Sequence, residues 1–194
     1  MPARPTFNAT SLQGCCSVMT PSSLTPSQFH IWKSQAISSD KPLFNQIMTV
    51  ELTSYNFDDA DQDIMLEAWD VTRKQYPVLD TTLTINAEGL PVQNFGIAQS
   101  VMEIVRLPLS RESAAQELDA WVRARGGVSF SLDTCLCDAA LIHWGEDRVT
   151  IYLNIHHLII DAWSMNLVFR SLLTHFKRLK TGDIHKTTLS LIHI

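Results

Sequence analysis

Cysteine is scarce in this chain and poorly placed for chemistry: four occur in 194 residues, as Cys15-Cys16 and Cys135-Leu136-Cys137. Neither pair has the Cys-x-x-Cys spacing of a redox or zinc site, and neither resembles the framework of a disulfide-stapled secreted domain. A reducing, cytoplasmic setting is the expectation. Long apolar runs are lacking as well. Nothing approaches the roughly 20 residues of a membrane span, and the N-terminus has Arg4 but no apolar stretch of signal-peptide length. Asn8-Ala9-Thr10 matches the glycosylation triplet, which carries no meaning without a secretory route. There is no basic run, and the net charge of -5 argues against a nucleic-acid partner. Lys177, Arg178 and Lys180 do cluster near the end of a predicted helix, where the expectation is a surface that complements the helix dipole.

What the chain does have is core material. Hydrophobic residues make up 45% of it, enough to exclude wholesale disorder, and the length suits a single domain or one lobe of a larger one. Residues 1–24, rich in Ser, Thr and Pro, read as a flexible leader. Thr25-Pro26 predicts an N-cap and first turn for a helix through Gln28, Ile31, Trp32 and Ala36. Phe44 to Leu52 reads as a strand. Asp58-Asp59 opens a second helix with an apolar stripe of Ile64, Ala68 and Val71, stopped by Pro77. Val78 to Ile85 and Val92 to Phe95 predict a hairpin turned at Ala87-Glu88-Gly89. A strand over Val101 to Leu107 follows, then a helix capped by Ser110 and running to about Arg123, with Gly126-Gly127 breaking the pattern.

The next segment is the most informative. Leu136 to Trp144 predicts a strand, Gly145-Glu146-Asp147 a turn, and Val149, Ile151, Leu153 and Ile155 alternate on the return strand. Thr150, Tyr152, Asn154 and His156 then fall on its other face. After Asp161 comes a long amphipathic helix with Met165, Phe169, Leu172, Phe176 and Leu179 toward the core. Strands and helices in this order predict an α/β or α+β layer, a mixed sheet packed by helices. The last residues, Leu189 to Ile194, differ in style from the rest. They match either a translated sequencing-adapter tail or a natural strand cut short, so the chain is expected to be a fragment.

The chemistry concentrates in Asn154-Ile155-His156-His157-Leu158-Ile159-Ile160-Asp161-Ala162-Trp163-Ser164. Neighbouring side chains of a strand point to opposite faces, so the two histidines cannot both face one cleft. One can enter a site while the scaffold holds the other. A neutral imidazole near pH 7 suits a general base or a group that orients a nucleophile. Asp161 is placed to cap the helix, to pair with a cation or to orient a histidine. Each residue also has a plain structural reading, as a strand-end histidine or a cap. Metal binding by His157 and Asp161, four apart, lacks any further ligand cluster.

His-His-x-x-x-Asp-Ala-Trp-Ser resembles the His-His-x-x-x-Asp-Gly motif of condensation domains of nonribosomal peptide synthetases, and of chloramphenicol-acetyltransferase-like acyltransferases generally. The Trp-Ser extension favours condensation domains. Leu24 to Trp32 (Leu-Thr-Pro-Ser-Gln-Phe-His-Ile-Trp) is similar to the family's first helix, where Ser or Thr, Gln and Trp recur. Gln75-Tyr76-Pro77-Val78-Leu79-Asp80-Thr81 resembles its Arg-His-Pro-Val-Leu-Arg-Thr, and Phe130 to Cys135 its Phe-Asp-Leu-like segment. The resemblance spans residues 24 to about 180 and implies a chloramphenicol-acetyltransferase-like lobe over residues 25–188, the N-terminal lobe of two, with a non-native tail at 189–194.

The resemblance further implies that His157 is the active-site histidine, positioning or deprotonating an amine that attacks a thioester, or stabilising the tetrahedral intermediate. His156 would be chiefly structural, Asp161 architectural and paired with the second arginine of the earlier motif, and Trp163 and Ser164 would flank the site. The partners would be donor and acceptor carrier proteins and the second lobe. No metal or cofactor is implied beyond the 4'-phosphopantetheine that the carriers bring. Two departures stand out. Ala162 replaces the family's glycine, and Asp80 stands where that second arginine is expected, so two carboxylates would meet. Arg73, Lys74 or Arg148 would then have to substitute, or the site is relaxed or inactive. A freestanding acyl-CoA-dependent acyltransferase and a non-catalytic carrier-docking relative are the alternative readings.

Overall fold

In a computed structural model, the structure describes residues 21–52, 57–107, 114–144 and 148–182. Residues 1–20 of the expected leader, the Ser110 cap, the Gly145-Glu146-Asp147 turn and the adapter-like tail lie outside these residues; residues 21–24 lie inside them, and Ser22–Ser23 pairs as a strand with Val92 and Gln93, so that part is not the flexible leader expected.

Local signals set most of the elements. Strand β1 is the short Ser22–Ser23, and helix α1 spans Pro26–Ile37. The Thr25 hydroxyl accepts from the Gln28 N–H while the Gln28 side chain accepts from the Thr25 N–H, a capping box with proline in the first turn. Strand β2 is Asn45–Leu52. Helix α2, Asp59–Gln75, starts with a second capping box, between Asp58 and Asp61. Its buried apolar face is Met65, Ala68 and Trp69, continued by Thr72, and not the expected stripe: Ile64 is only partly buried and Val71 is exposed. The i, i+3, i+4, i+7 line through Met65 is one residue away, and it brings the Trp69 indole N–H to the Ser100 carbonyl at 2.9 Å.

Beyond α2 the expected hairpin is shorter than the sequence suggests. Pro77–Asp80 is a single 3-10 turn, and only Thr82–Ile85 (β3) and Pro91–Asn94 (β4) pair as antiparallel strands. Proline fixes the backbone at the start of that turn, and the Asp80 carbonyl accepts the N–H groups of Ile97 and Ala98 at 2.9 and 3.0 Å. β5 is Met102–Leu107, and α3 runs Ala114–Gly126, ending at the expected glycines rather than at Arg123. Strands β6, Cys137–Trp144, and β7, Arg148–His156, lead to α4, Ala162–Thr181, which Gly182 closes at a φ of 65°.

β1, β4 and β3 form a small sheet in that order; β2, β7, β6 and β5 form the main one. In the main sheet β5 and β6 are parallel and the other neighbours antiparallel, so the sheet is mixed, as expected. Helices α2 and α4 pack against one another and against the face carrying Ile151, Leu153 and Ile155. The other face of β7 is buried too: α3 covers Tyr152, Ala140 and Ile142 with Leu118, Trp121 and Val122. Arg125 of α3 reaches that face, hydrogen-bonding both oxygens of Asp138 at 2.9 and 2.7 Å. Two further expectations fail on α4. Leu179 is exposed while Val168 joins the core. Lys180 is also no mere dipole-compensating residue, because its Nζ lies 2.6 Å from the buried Asp61 carboxylate of α2.

Candidate active site at the end of strand β7

β7 ends with His156, and the chain then turns before α4. This places the two histidines on opposite sides, as strand alternation requires. The His156 side chain is fully buried, against the rings of Phe44 and Phe130. Its Nδ1 accepts the Leu158 N–H at 3.1 Å, which puts the proton of the neutral ring on Nε2. Nε2 is buried without a hydrogen-bond partner among the described residues. Burial, and secondarily the neighbouring charge of His157, pushes the His156 pKa down to about 4. A ring held neutral inside the core is a structural group.

His157 is half-buried and takes the opposite tautomer. Its Nδ1 lies 2.6 Å from the Ile160 carbonyl oxygen, which can only accept, so Nδ1 carries the proton. In the neutral ring the lone pair is therefore on Nε2. The backbone around it is tied at each step. The His157 N–H donates to the Phe44 carbonyl at 2.7 Å, and the Ile159 N–H to the His156 carbonyl at 3.0 Å. The Leu158 carbonyl accepts from the Gln28 side chain at 2.9 Å.

Asp161 caps α4. Its carboxylate accepts the Ser164 N–H at 2.7 Å, and this bond holds its pKa below the usual carboxylate range. Trp163 and Ser164 sit in the first turn as expected, with the Trp163 side chain 74% exposed. The expected meeting of Asp161 with Asp80 does not occur through any hydrogen bond or ion pair among the described residues. Asp80 is buried and paired with Arg73 of α2, and its other oxygen accepts the Ser100 N–H at 2.9 Å. Lys74 pairs with Asp70 and Arg148 with Glu51, so none of the three candidate cations substitutes at Asp161. Burial raises the pKa of both Cys135 and Cys137, which suits inert core thiols. Among the described residues no group of three His, Cys, Asp or Glu side chains is arranged to hold a metal ion.

Sequence reasoning missed the contribution of Gln28 and Phe44 to this site. The Gln28 signal lay in the capping box, Thr25-x-x-Gln28, whose side chain does more than cap. Nothing local in the sequence marked the carbonyl of Phe44.

The geometry sets a half-buried histidine between the end of β7 and the capped start of α4, and comparison with known proteins gives the family. The family model described as the condensation domain matches residues 19–188, so the chain belongs to the condensation-domain family. A linear gramicidin synthase of Brevibacillus parabrevis is 28% identical over 169 residues, which are 82% of this chain and 2% of that protein. The starter condensation domain of rhizomide synthetase RzmA superposes with a TM-score of 0.75 at 19% identity, over 84% of this chain and 39% of that one. The first condensation domain of the CDA synthetase gives a TM-score of 0.74 at 21% identity, over 84% of this chain and 41% of that one. The chain thus spans about two fifths of the solved structures it matches.

Proposed function

We propose that this chain is the histidine-bearing N-terminal lobe of a condensation domain that joins two carrier-tethered substrates by an amide bond in nonribosomal peptide synthesis. The amine of an acceptor attacks the thioester carbonyl of a donor. The C–N bond forms, the carbonyl becomes an oxyanion, and its collapse expels the thiolate. One proton leaves the amine and one reaches the thiolate, so a single imidazole can shuttle it.

One observation carries the reading. The Ile160 carbonyl fixes the Nδ1–H tautomer of His157 and leaves Nε2 as the base. A backbone carbonyl here does what an acidic partner does in other histidine sites: it sets the tautomer and the ring's orientation. His156 supports the turn from inside, and Asp161, with Trp163 and Ser164, anchors the helix beside it. The site geometry at His157 does not draw on an arginine at position 80, which favours an active domain over a docking relative. The partners would be a donor and an acceptor carrier protein and an opposing lobe that closes the substrate channel. No metal or cofactor of the domain's own enters, since the phosphopantetheine arms belong to the carriers. Among the described residues no helix is long and apolar enough to cross a membrane, and the cytoplasmic setting is proposed from the cysteine usage.

The test is a product assay with loaded donor and acceptor carriers. The natural protein containing this lobe should form the amide, and its His157→Ala variant should form it far more slowly. Residues 1–188 alone should be inactive, because the substrates would lack the opposing wall that holds them in near-attack geometry, worth about 7–11 kcal/mol of a barrier. Turnover by the isolated lobe at the parent's rate would refute the two-lobe reading. Acylation of a free amine from acyl-CoA without carriers would favour a freestanding acyltransferase.

A further inference from the structure

We infer that Gln28 is a positioning residue for His157, acting through the carbonyl of Leu158. Among the described residues, Gln28 supplies the only side chain from another element that hydrogen-bonds the histidine turn. Its Nε2 donates to the Leu158 oxygen at 2.9 Å and to Gln93 Oε1 at 3.0 Å. Its Oε1 accepts from the Thr25 N–H at 3.0 Å and the Thr25 hydroxyl at 3.0 Å. Every valence of the amide is used, so the side chain has a single orientation. Gln93 of β4 is itself buried and reaches the Ser23 carbonyl at 3.4 Å. The helix start, the small sheet and the histidine turn therefore meet at one amide.

The consequence for chemistry follows from peptide geometry. Leu158 supplies the peptide plane between His157 and the Ile160 carbonyl that fixes its tautomer. Freeing the Leu158 oxygen lets that plane tilt. The Ile160 oxygen then shifts relative to Nδ1, and both the tautomer and the aim of Nε2 lose definition. A misplacement of about an ångström in a reacting group can cost roughly 100-fold in rate.

Two substitutions, read by the tautomer of His157, separate positioning from simple stability. Gln28→Glu keeps an oxygen for the Thr25 capping box, where glutamate serves at least as well, but a carboxylate cannot donate to the Leu158 carbonyl. Gln28→Ala loses both. The inference rests on the proposed function only for its kinetic arm, so the first readout is the tautomer of His157 in the isotope-labelled chain, from imidazole nitrogen shifts at alkaline pH. The wild type should show one Nδ1–H tautomer. Gln28→Glu, which sets a carboxylate oxygen against the Leu158 and Gln93 oxygens, and Gln28→Ala should both lower Tm, and both should show a mixture. In the active protein Gln28→Glu should lose roughly 10- to 100-fold in kcat with KM unchanged.

A wild-type His157 spectrum in Gln28→Glu would overturn the inference. So would a lowered Tm with the wild-type tautomer kept in both variants, which would make Gln28 only a strut for α1. If the wild-type protein forms no amide, the proposed function fails, and the nitrogen shifts still decide the role of Gln28.

Discussion

Two segments that the family resemblance ties together by an ion pair, the turn after α2 (residues 76–81) and the turn after β7 (156–164), share no hydrogen bond or ion pair among the described residues. In the first, a buried carboxylate, Asp80, takes the guanidinium of Arg73 from its own helix and the Ser100 N–H. In the second, an exposed carboxylate, Asp161, caps its own helix through the Ser164 N–H. One carboxylate needs a charge partner because it is removed from water; the other needs only an N–H. The pair expected from the family pattern is thus absent among the described residues, and the turn bearing His157 keeps its hydrogen bonds without the other segment's charge.

The sharpest way to test this independence is to remove chemistry from one segment alone. His157→Ala should lower amide formation by about 10²–10⁴-fold, the usual range for a general acid or base, with far-UV circular dichroism unchanged. Only one side-chain hydrogen bond, to the Ile160 carbonyl, is lost. Residual turnover close to wild type in the carrier assay would remove His157 from the mechanism.

The converse test strikes the first segment. Asp80→Arg restores the family's residue, and by the pattern alone it should help. The structure predicts the opposite. The new cation would lie beside Arg73, and the Ser100 N–H would lose its acceptor inside the core. Breaking a buried pair in this way costs roughly 3–5 kcal/mol, read from urea unfolding. A gain in stability or activity would mean that Asp161 does seek an arginine at that position.

How much of this was legible beforehand follows the range of each interaction. The caps at Thr25, Asp58 and Asp161 were readable because a cap is decided within four residues. The strand–histidine–helix order was readable from alternation followed by helical spacing. The alternation gave the two faces of β7 but not the burial of the second, which α3 covers from a distant part of the chain. The extended reading of Val78–Asp80 failed because the carbonyl of Asp80 is claimed by Ile97 and Ala98, well downstream. Of the site, His157 and its neighbours were visible as a motif. The ring's own bond, to the Ile160 carbonyl, is local, but the bonds that hold the turn's backbone come from residues 44 and 28, more than 100 positions away, and no local pattern encodes that they reach it.

A smaller effect should separate His156 from His157 by pH. The ordinary pKa of 6.5 falls to about 4 for His156 on folding. Above that ordinary value both states are neutral and the group contributes nothing to pH dependence. Between the two values the unfolded chain binds a proton that the folded protein refuses, so stability falls as pH falls. The slope is at most about 1.4 kcal/mol per pH unit, and it levels off below the folded value. His143 and His175, also depressed chiefly by burial, add to it with the same sign. His156→Phe should flatten part of that slope in urea melts at a series of pH values. At neutral pH it should still cost roughly 1–3 kcal/mol, because the Leu158 N–H loses a buried acceptor. An unchanged slope would place His156 in contact with water.

The smallest effect, and the one that bears most directly on the comparison, belongs to Asp161. If its role is the cap seen here, Asp161→Asn should be nearly silent, because asparagine caps as well as aspartate does. Asp161→Ala should lower Tm by a few degrees. Neither change should approach the effect of substituting Asp80, since Asp161 is exposed and pairs with no cation among the described residues. The pH behaviour has a definite sign. The Ser164 bond depresses the folded pKa, so the cap's contribution is complete above the unfolded aspartate's pKa and is lost as pH falls through the depressed one. Asp161→Asn, which does not titrate, should therefore be relatively more stable than wild type only in acid. Activity supplies the discriminating readout. A cap that merely anchors α4 leaves the asparagine variant with near-wild-type kcat in the carrier assay. If Asp161→Asn instead keeps its Tm and loses most of its turnover, the charge itself acts on His157, and the two segments differ in chemistry as well as in the way each satisfies its carboxylate.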